Sequence, residues 1–507
     1  MASSSPIPLS ESEQIVQLQK ELAWAKLKIQ VLEERLRLER IKKYGPGSEK
    51  LSDAQLQLLD LEPGVSQDEV QAESERKPLP APAKLPKKRK HPGRQELPAS
   101  LTRVERVIAC TPEQCTCKTC GQAKTVIGYD VSEQLDVQPA QYFVVVTKRE
   151  KRACKCCEEG GVVAAPAPER IIEKSLVSDR VVIDTLVAKY SDHLPLYRQS
   201  AILQREAGVE IGRATLDGWV MRVGELLIPI VAVMRRELLG GSYIQADETP
   251  VDVQLHDGRG KNHQAYLWQY GQSGGGVVFD FCMGRGREGP KVFLGQFEGL
   301  LQTDGYIAYE KVGGPKLVHA GCWAHARRKF FDAVTLNPND AVATRIVKLI
   351  DELFAIDAVA REEKLDPAAR QVLRLEKAKT LVEIIRGEVE AARDACLPSS
   401  TLGKAVHYTL SQWKKLTLFL EHPELELSNN LAENSMRPVA LGRKNWIHVG
   451  SQQAGPKVAA ILSIVETCRR MKIPIRDYLA AVLPGIAEVS IHRLADLTPT
   501  AWAARQQ

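Results

Sequence analysis

Ser242-Tyr243-Ile244-Gln245-Ala246-Asp247-Glu248-Thr249-Pro250-Val251-Asp252-Val253 is the stretch on which the fold turns. It is apolar and rich in β-branched residues, with acids set into it, which predicts a strand. Further extended candidates follow at 264–271 and 276–282. Asp257-Gly258-Arg259-Gly260 and Ser273-Gly274-Gly275 separate them as turns. Beyond them the pattern predicts a helix at 289–298, a short strand ending at Asp304, a short helix, a strand at 316–321 and a helix from 324. Three hairpin-linked strands followed by alternating helices and strands do not make a doubly wound dinucleotide fold.

The order is that of a ribonuclease-H-like mixed sheet, and the expected class is multidomain α/β. Residues 241–335 and 425–456 make up the catalytic domain in this reading, with 336–424 an α-helical insertion and 457–507 a helical C-terminal region. Upstream, residues 11–43 set Ile15, Leu18, Leu22, Ala25, Ile29, Leu32 and Leu36 at heptad spacing, which predicts a coiled coil and a homo-oligomer. A single amphipathic helix packed on its own chain is the alternative. Residues 44–100 read as a Pro-rich linker carrying the basic run Lys87-Lys88-Arg89-Lys90, and 101–170 as a zinc-binding domain. Residues 175–240 read as a helical, helix-turn-helix-like DNA-binding region, in which Arg205 and Arg213 are candidate phosphate contacts.

The chain has 507 residues, 44% of them hydrophobic, and a net charge of +6. That length allows several cores, and the total charge does not by itself demand nucleic acid. No apolar run approaches the ~18 residues of a membrane span, and the N-terminus lacks the pattern of a secretory signal, so a cytoplasmic location is expected. Of eleven cysteines, seven crowd into 110–157, which favours metal over disulfides. Cys117-x-x-Cys120-Gly121 and Cys154-x-x-Cys157, separated by strand-like sequence including Tyr142-Phe143-Val144-Val145-Val146, predict a structural zinc site with four cysteine ligands. Cys110, Cys115 and Cys156 leave C-x-C pairings open.

Three acids fall where metal-dependent phosphodiester chemistry needs them: Asp247 in the first strand, Asp304 after Leu300-Leu301-Gln302-Thr303, and Glu433 in Asn429-Asn430-Leu431-Ala432-Glu433. Hard carboxylate oxygens suit a pair of Mg2+ or Mn2+ ions ~3.5–4 Å apart. Strand alternation sends Asp247 and Glu248 to opposite faces, and periodicity does not choose between them. Arg437 follows Glu433 by one turn, and Arg443 and Lys444 extend a basic track. His319, Cys322 and His325 offer too few ligands for a second zinc. They are expected to pack behind the site, with Arg327, Arg328 and Lys329 toward DNA.

These motifs resemble those of the transposases of insertion sequence family 66, of the DDE type. Lys43-Tyr44-Gly45-Pro46-Gly47-Ser48-Glu49-Lys50 is similar to the segment after that family's leucine zipper, with Pro46-Gly47 where Arg and Ser are common. Ser132-Glu133-Gln134-Leu135-Asp136-Val137 and Ala153-Cys154-Lys155-Cys156-Cys157-Glu158 resemble its zinc-finger region, favouring Cys117, Cys120, Cys154 and Cys157 as ligands. Ala246-Asp247-Glu248-Thr249-Pro250, Thr303-Asp304-Gly305-Tyr306 and Asn429-Asn430-Leu431-Ala432-Glu433 resemble its three catalytic motifs, selecting Asp247 over Glu248. Gly321-Cys322-Trp323-Ala324-His325 and Leu441-Gly442-Arg443-Lys444-Asn445-Trp446 are also family-like. The resemblance spans roughly residues 40–480.

It implies cleavage at terminal inverted repeats, transfer of the exposed 3′-hydroxyl into target DNA, and element-encoded accessory proteins as partners. It also implies a nucleoid-associated place in a bacterial cytoplasm. Two other readings use the same features: a zinc-containing DNA-binding regulator without catalysis, and a structure-specific nuclease that cuts without joining.

Overall fold

The structure is a computed structural model. It describes residues 141–153, 162–255 and 260–506, together with isolated positions between 17 and 37 and between 103 and 129. The described positions between 17 and 37 are helical, and Leu18, Leu22, Ile29, Leu32 and Leu36 along them are exposed. The 44–100 segment, and Cys117, Cys120, Cys154 and Cys157, lie outside the described residues.

The chain divides into two compact units, 81–147 and the remainder. In the smaller unit, Tyr142–Val146 corrects the strand-like reading: the segment carries no regular structure and its side chains are exposed. A β-branched run becomes a strand only where a neighbouring strand accepts its ladder, and none pairs with it among the described residues. In the larger unit a short antiparallel hairpin joins β1 (Lys151–Ala153) to β2 (Val162–Ala164).

Three helices come next: α1 (Asp179–Tyr190), α2 (Leu196–Ala207) and α3 (Arg213–Leu239). Gly208 ends α2 with φ 67°, a left-handed value that glycine adopts without a Cβ clash. The main sheet has six strands. β3 (Tyr243–Val253), β4 (His263–Gly271) and β5 (Val277–Cys282) are antiparallel neighbours. On the other side of β3, β6 (Leu300–Gln302) pairs parallel with it and β7 (Val318–Ala320) pairs parallel with β6, giving the order β5-β4-β3-β6-β7. Between β5 and β6 lies α4 (Glu288–Leu294), and after β7 comes α5 (Trp323–Leu336). The predicted order of strands and helices from 243 to 336 is the observed one.

Residues 341–417 are mainly helical, including α6 (Ala341–Glu362), α7 (Pro367–Leu373), α8 (Lys379–Ala395), α9 (Thr401–Ser411) and α10 (Trp413–Thr417). Asp340, Asp366 and Ser400 cap three of them by accepting from the backbone N–H three residues on, at 2.8–2.9 Å. The chain returns through α11 (Asn430–Trp446) to β8 (His448–Val449), which pairs with the far end of β3. α12 (Ala454–Arg470), α13 (Ile475–Val482) and α14 (Pro499–Gln506) follow.

Two apolar cores result. One joins the sheet to α3, α4 and α12; the other packs Trp323 and Phe330 of α5 against Ile346, Ile350 and Phe354 of α6 and Ile385 of α8. At the outer strand β5, α12 supplies side chains that finish the ladder. The Thr467 hydroxyl accepts from Val277 N–H at 2.9 Å and donates to Val277 O at 3.1 Å, and Ser463 accepts from Phe279 N–H at 2.8 Å. α12 comes this close because it has glycine at 455, where a Cβ would sit 2.2 Å from the Phe281 ring. Among the described residues no helix is long and apolar enough to cross a membrane.

Candidate active site

Asp247 lies mid-strand in β3, opposite Gln269 of β4. Thr249 shares its face and accepts a hydrogen bond from Arg443 of α11 at 2.9 Å. Asp247 therefore points to the side covered by α11, the helix that carries Glu433 in its first turn. Glu248 faces the other way, accepting from Arg285 Nη2 at 2.8 Å and from the Tyr309 hydroxyl at 3.0 Å. The alternation left open by sequence is thus resolved: Asp247, not Glu248, faces the Glu433 helix.

Asp304 sits just past β6 in a turn built by its neighbours. Gly305 takes φ 86°, which a residue with a side chain rarely adopts. The Asp304 carboxylate accepts from Tyr306 N–H at 2.8 Å, and the Tyr408 hydroxyl donates to the Asp304 carbonyl at 2.6 Å.

A buried polar seam brings the start of α11 to the ends of β3 and β6. Tyr243 donates to Gln302 Oε1 at 2.5 Å, and Gln302 donates to Glu426 O at 2.7 Å and to Gly321 O at 2.9 Å. Gln245 donates to Ser428 O at 3.1 Å, and the Asn429 amide reaches Ala246 O at 3.5 Å. Each bond satisfies a group that burial would otherwise leave costly, so the 426–429 segment has one place to lie. Behind it, Glu426 is held by Arg361 and by Arg370 at 2.9 Å, while Arg370 and Arg374 each bond Asp357 at 2.7 Å. The two arginines push the Glu426 carboxyl down to about 2 although burial alone would raise it.

The acids meet electrostatically. Asp247 has its pKa raised well above the ordinary value by burial first, then by Glu433 and Glu248, with Asp304 adding and His325 opposing. His325 Nδ1 lies 3.5 Å from Glu433 Oε1. Burial works against the charged imidazole, but Cys322, Glu433 and Asp304 outweigh it and push its pKa up to about 10. His325 thus belongs to the cluster rather than behind it, while the half-buried His319 has Lys415 and Glu310 as its charged neighbours.

Burial first, and then the neighbouring carboxylates, disfavour the charged form of Asp247, with His325 opposing. Hard oxygen donors in unrelieved repulsion fit divalent cations, which remove the cost by binding. Among the described residues no three His, Cys, Asp or Glu side chains are already closed into an ion cage. Glu433 and Asp304 nonetheless act electrostatically on Asp247.

The basic candidates separate. Arg205 and Arg213 are exposed at the end of α2 and the start of α3, and Arg328 and Lys444 are exposed on α5 and α11. Lys329 holds its ammonium 4.6 Å from the centre of the Tyr408 ring, and Arg437 is half-buried. Arg443 uses Nη1 to bond Thr249 Oγ1 and Pro250 O, tying α11 to β3. Arg327 corrects the expectation that it faces DNA. It is 4% exposed and paired with Asp351 at 2.6 Å, because it falls on the same helical stripe as Trp323 and Phe330. Sequence reading also passed over Gln245, Gln302 and Tyr408. The signal available for the first two was a glutamine ending each apolar run, Tyr243-Ile244-Gln245 and Leu300-Leu301-Gln302.

Comparison with known proteins adds three family matches. Residues 174–457 match the model described as "Transposase IS66 family", 114–158 the zinc-finger binding domain of transposase IS66, and 31–106 the model described as "Transposase C of IS166 homeodomain". Relatives in Sinorhizobium fredii include the uncharacterized protein y4qI, 33% identical over 88% of this chain and 84% of the relative. The uncharacterized protein y4hP of the same organism is 30% identical over 94% of this chain and 88% of its own length.

Proposed function

The chain belongs to the IS66 family of transposases, and from that premise we propose that it cleaves DNA at the ends of its insertion sequence and joins the freed 3′-hydroxyl to target DNA. The observation that supports this is that Glu433, on the helix covering the Asp247 face of β3, and Asp304, just past β6, both add to what burial does to the Asp247 carboxyl. The sheet order, antiparallel across β5-β4-β3 and parallel across β3-β6-β7, supports reading the domain as ribonuclease-H-like.

In this reading Asp247, Asp304 and Glu433 hold two Mg2+ or Mn2+ ions. When bound, such ions lower the pKa of water and stabilise charge on attacking and leaving oxygens. The protein supplies the rest. The Gln245–Gln302 seam fixes where α11 begins, Tyr306 and Tyr408 fix the Asp304 turn, and His325 moderates the charge on Glu433. Water opens the phosphodiester at the element's end, and the resulting 3′-hydroxyl displaces a strand at the target directly, with no covalent bond to protein.

Arg205, Arg213, Arg328, Lys329, Arg437 and Lys444 are the proposed DNA contacts. Cys117, Cys120, Cys154 and Cys157 are the proposed structural zinc ligands, supported by the zinc-finger match across 114–158. Exposed Leu18, Leu22, Ile29, Leu32 and Leu36 support self-association through a coiled coil. The protein would act on DNA in the cytoplasm, with accessory proteins of the element as partners.

The test is metal-dependent cleavage and strand transfer on DNA carrying the cognate end, with Asp247→Asn as control. Cleavage without joining supports the nuclease instead. Stable binding without metal-dependent chemistry supports the regulator.

A further inference from the structure

The carboxylate cluster repels the phosphates it is meant to receive, so cations at its rim matter. One stands out for its geometry. Arg285 lies on the loop Gly284-Arg285-Gly286-Arg287, between β5 and α4. Its Nε and Nη2 both donate to Glu248 Oε1, at 3.1 and 2.8 Å, along one edge of the guanidinium. The Tyr306 ring covers one face, 4.1 Å from the guanidinium carbon to the ring centre, and the Tyr306 hydroxyl donates to Arg285 O at 3.1 Å. Tyr306 is the same residue whose N–H caps the Asp304 carboxylate. Glu248 is sunk to 3% side-chain exposure while Arg285 keeps 47%.

The geometry points to Arg285 as a DNA-backbone ligand beside the Asp304 turn, gripping a phosphate of the bound duplex, with Glu248 and Tyr306 as its positioning residues. This rests on the transposase reading above. A guanidinium locked at one edge and one face presents its remaining edge in a fixed direction, and that fork matches phosphate oxygens. The latch through Tyr306 makes the position of the loop and the position of Asp304 one variable. It also gives Glu248, turned away from Asp247, a task of its own in the Ala246–Pro250 motif.

The test uses the full chain and a duplex bearing the element's end, taken from the DNA flanking its own gene. Binding is followed over a salt series with calcium in place of magnesium, and cleavage is followed with magnesium. Arg285→Ala is expected to reduce the slope of log affinity against log salt by about one and to slow cleavage about tenfold or more. Arg285→Lys keeps the slope but not the cleavage rate. Glu248→Ala slows cleavage, and adds nothing when combined with Arg285→Ala. A wild-type slope in Arg285→Ala overturns the phosphate contact. Further loss on adding Glu248→Ala overturns the positioning role. Failure of the wild type to cleave would sink the transposase reading while leaving the slope comparison intact.

Discussion

His325 and Glu433 face each other at 3.5 Å, Nδ1 to Oε1, each in the first turn of its own helix. Helix N-termini favour anions, so Glu433 is well placed and the imidazolium is not. His325 holds its charge because Cys322, Glu433 and Asp304 together outweigh its burial. The arrangement is a partial neutralisation: His325 opposes the neighbouring carboxylates, while burial first and those carboxylates second keep the Asp247 carboxyl well above its usual pKa.

Removing one of the repelling charges should therefore stabilise the metal-free protein while ending its chemistry. Asp247→Asn is expected to melt roughly 2–4 °C higher than wild type without divalent metal, and to lose cleavage by about a thousandfold or more. Saturating magnesium should raise the wild-type melting temperature and move the variant far less. Calorimetry with and without magnesium, run beside the cleavage assay, reads all of this. Equal responses to magnesium in the two proteins would remove Asp247 from the cation site.

Glu426 sets a pH window. Its carboxyl is depressed to about 2 from an ordinary 4.5 by Arg361 and Arg370. A depressed acid contributes stability that is fully present above about 4.5 and is lost as pH falls toward 2. Thermal unfolding of the wild type should weaken across that window, and Glu426→Gln should flatten the dependence. Glu426→Ala is expected to cost about 3–5 kcal/mol at neutral pH, because it strands buried arginine charge. A variant that keeps the wild-type acid profile would show that the pair is not what titrates.

Zinc is checked by counting. Atomic spectroscopy of the metal-exchanged protein should find about one zinc per chain, and Cys117→Ser or Cys154→Ser should lose it. Retention of zinc by both variants would move the ligand set to Cys110, Cys115 or Cys156.

Packing at the sheet rim gives another test. Gly455→Ala would press a methyl group into the Phe281 ring, which stands 2.2 Å from that position. A cost of about 1–3 kcal/mol is expected, partly recovered by Phe281→Leu in the same chain. Denaturant melts of the single and double variants decide it. A neutral Gly455→Ala would mean that α12 is free to shift away from β5.

The strands and helices from 243 to 336 were legible because their periodicities differ and turn residues separate them. The three proposed acids stood out because each lies in a short motif. What escaped the sequence depends on contacts between distant residues. Arg327 read as one of three surface cations, yet its spacing from Trp323 and Phe330 already placed it on the buried stripe. Tyr142–Val146 had strand composition but no strand partner among the described residues. The glutamines at 245 and 302 matter through a segment more than a hundred residues later, whose path no local pattern reveals. Arg285 and Glu248 meet only because the loop after β5 reaches back across β4 to β3.

The hydroxyls of Ser463 and Thr467 have a consequence for assembly. By occupying Val277 N–H, Val277 C=O and Phe279 N–H, they take three of the backbone groups an incoming strand would pair with, which disfavours β-augmentation from a second molecule at that end of β5.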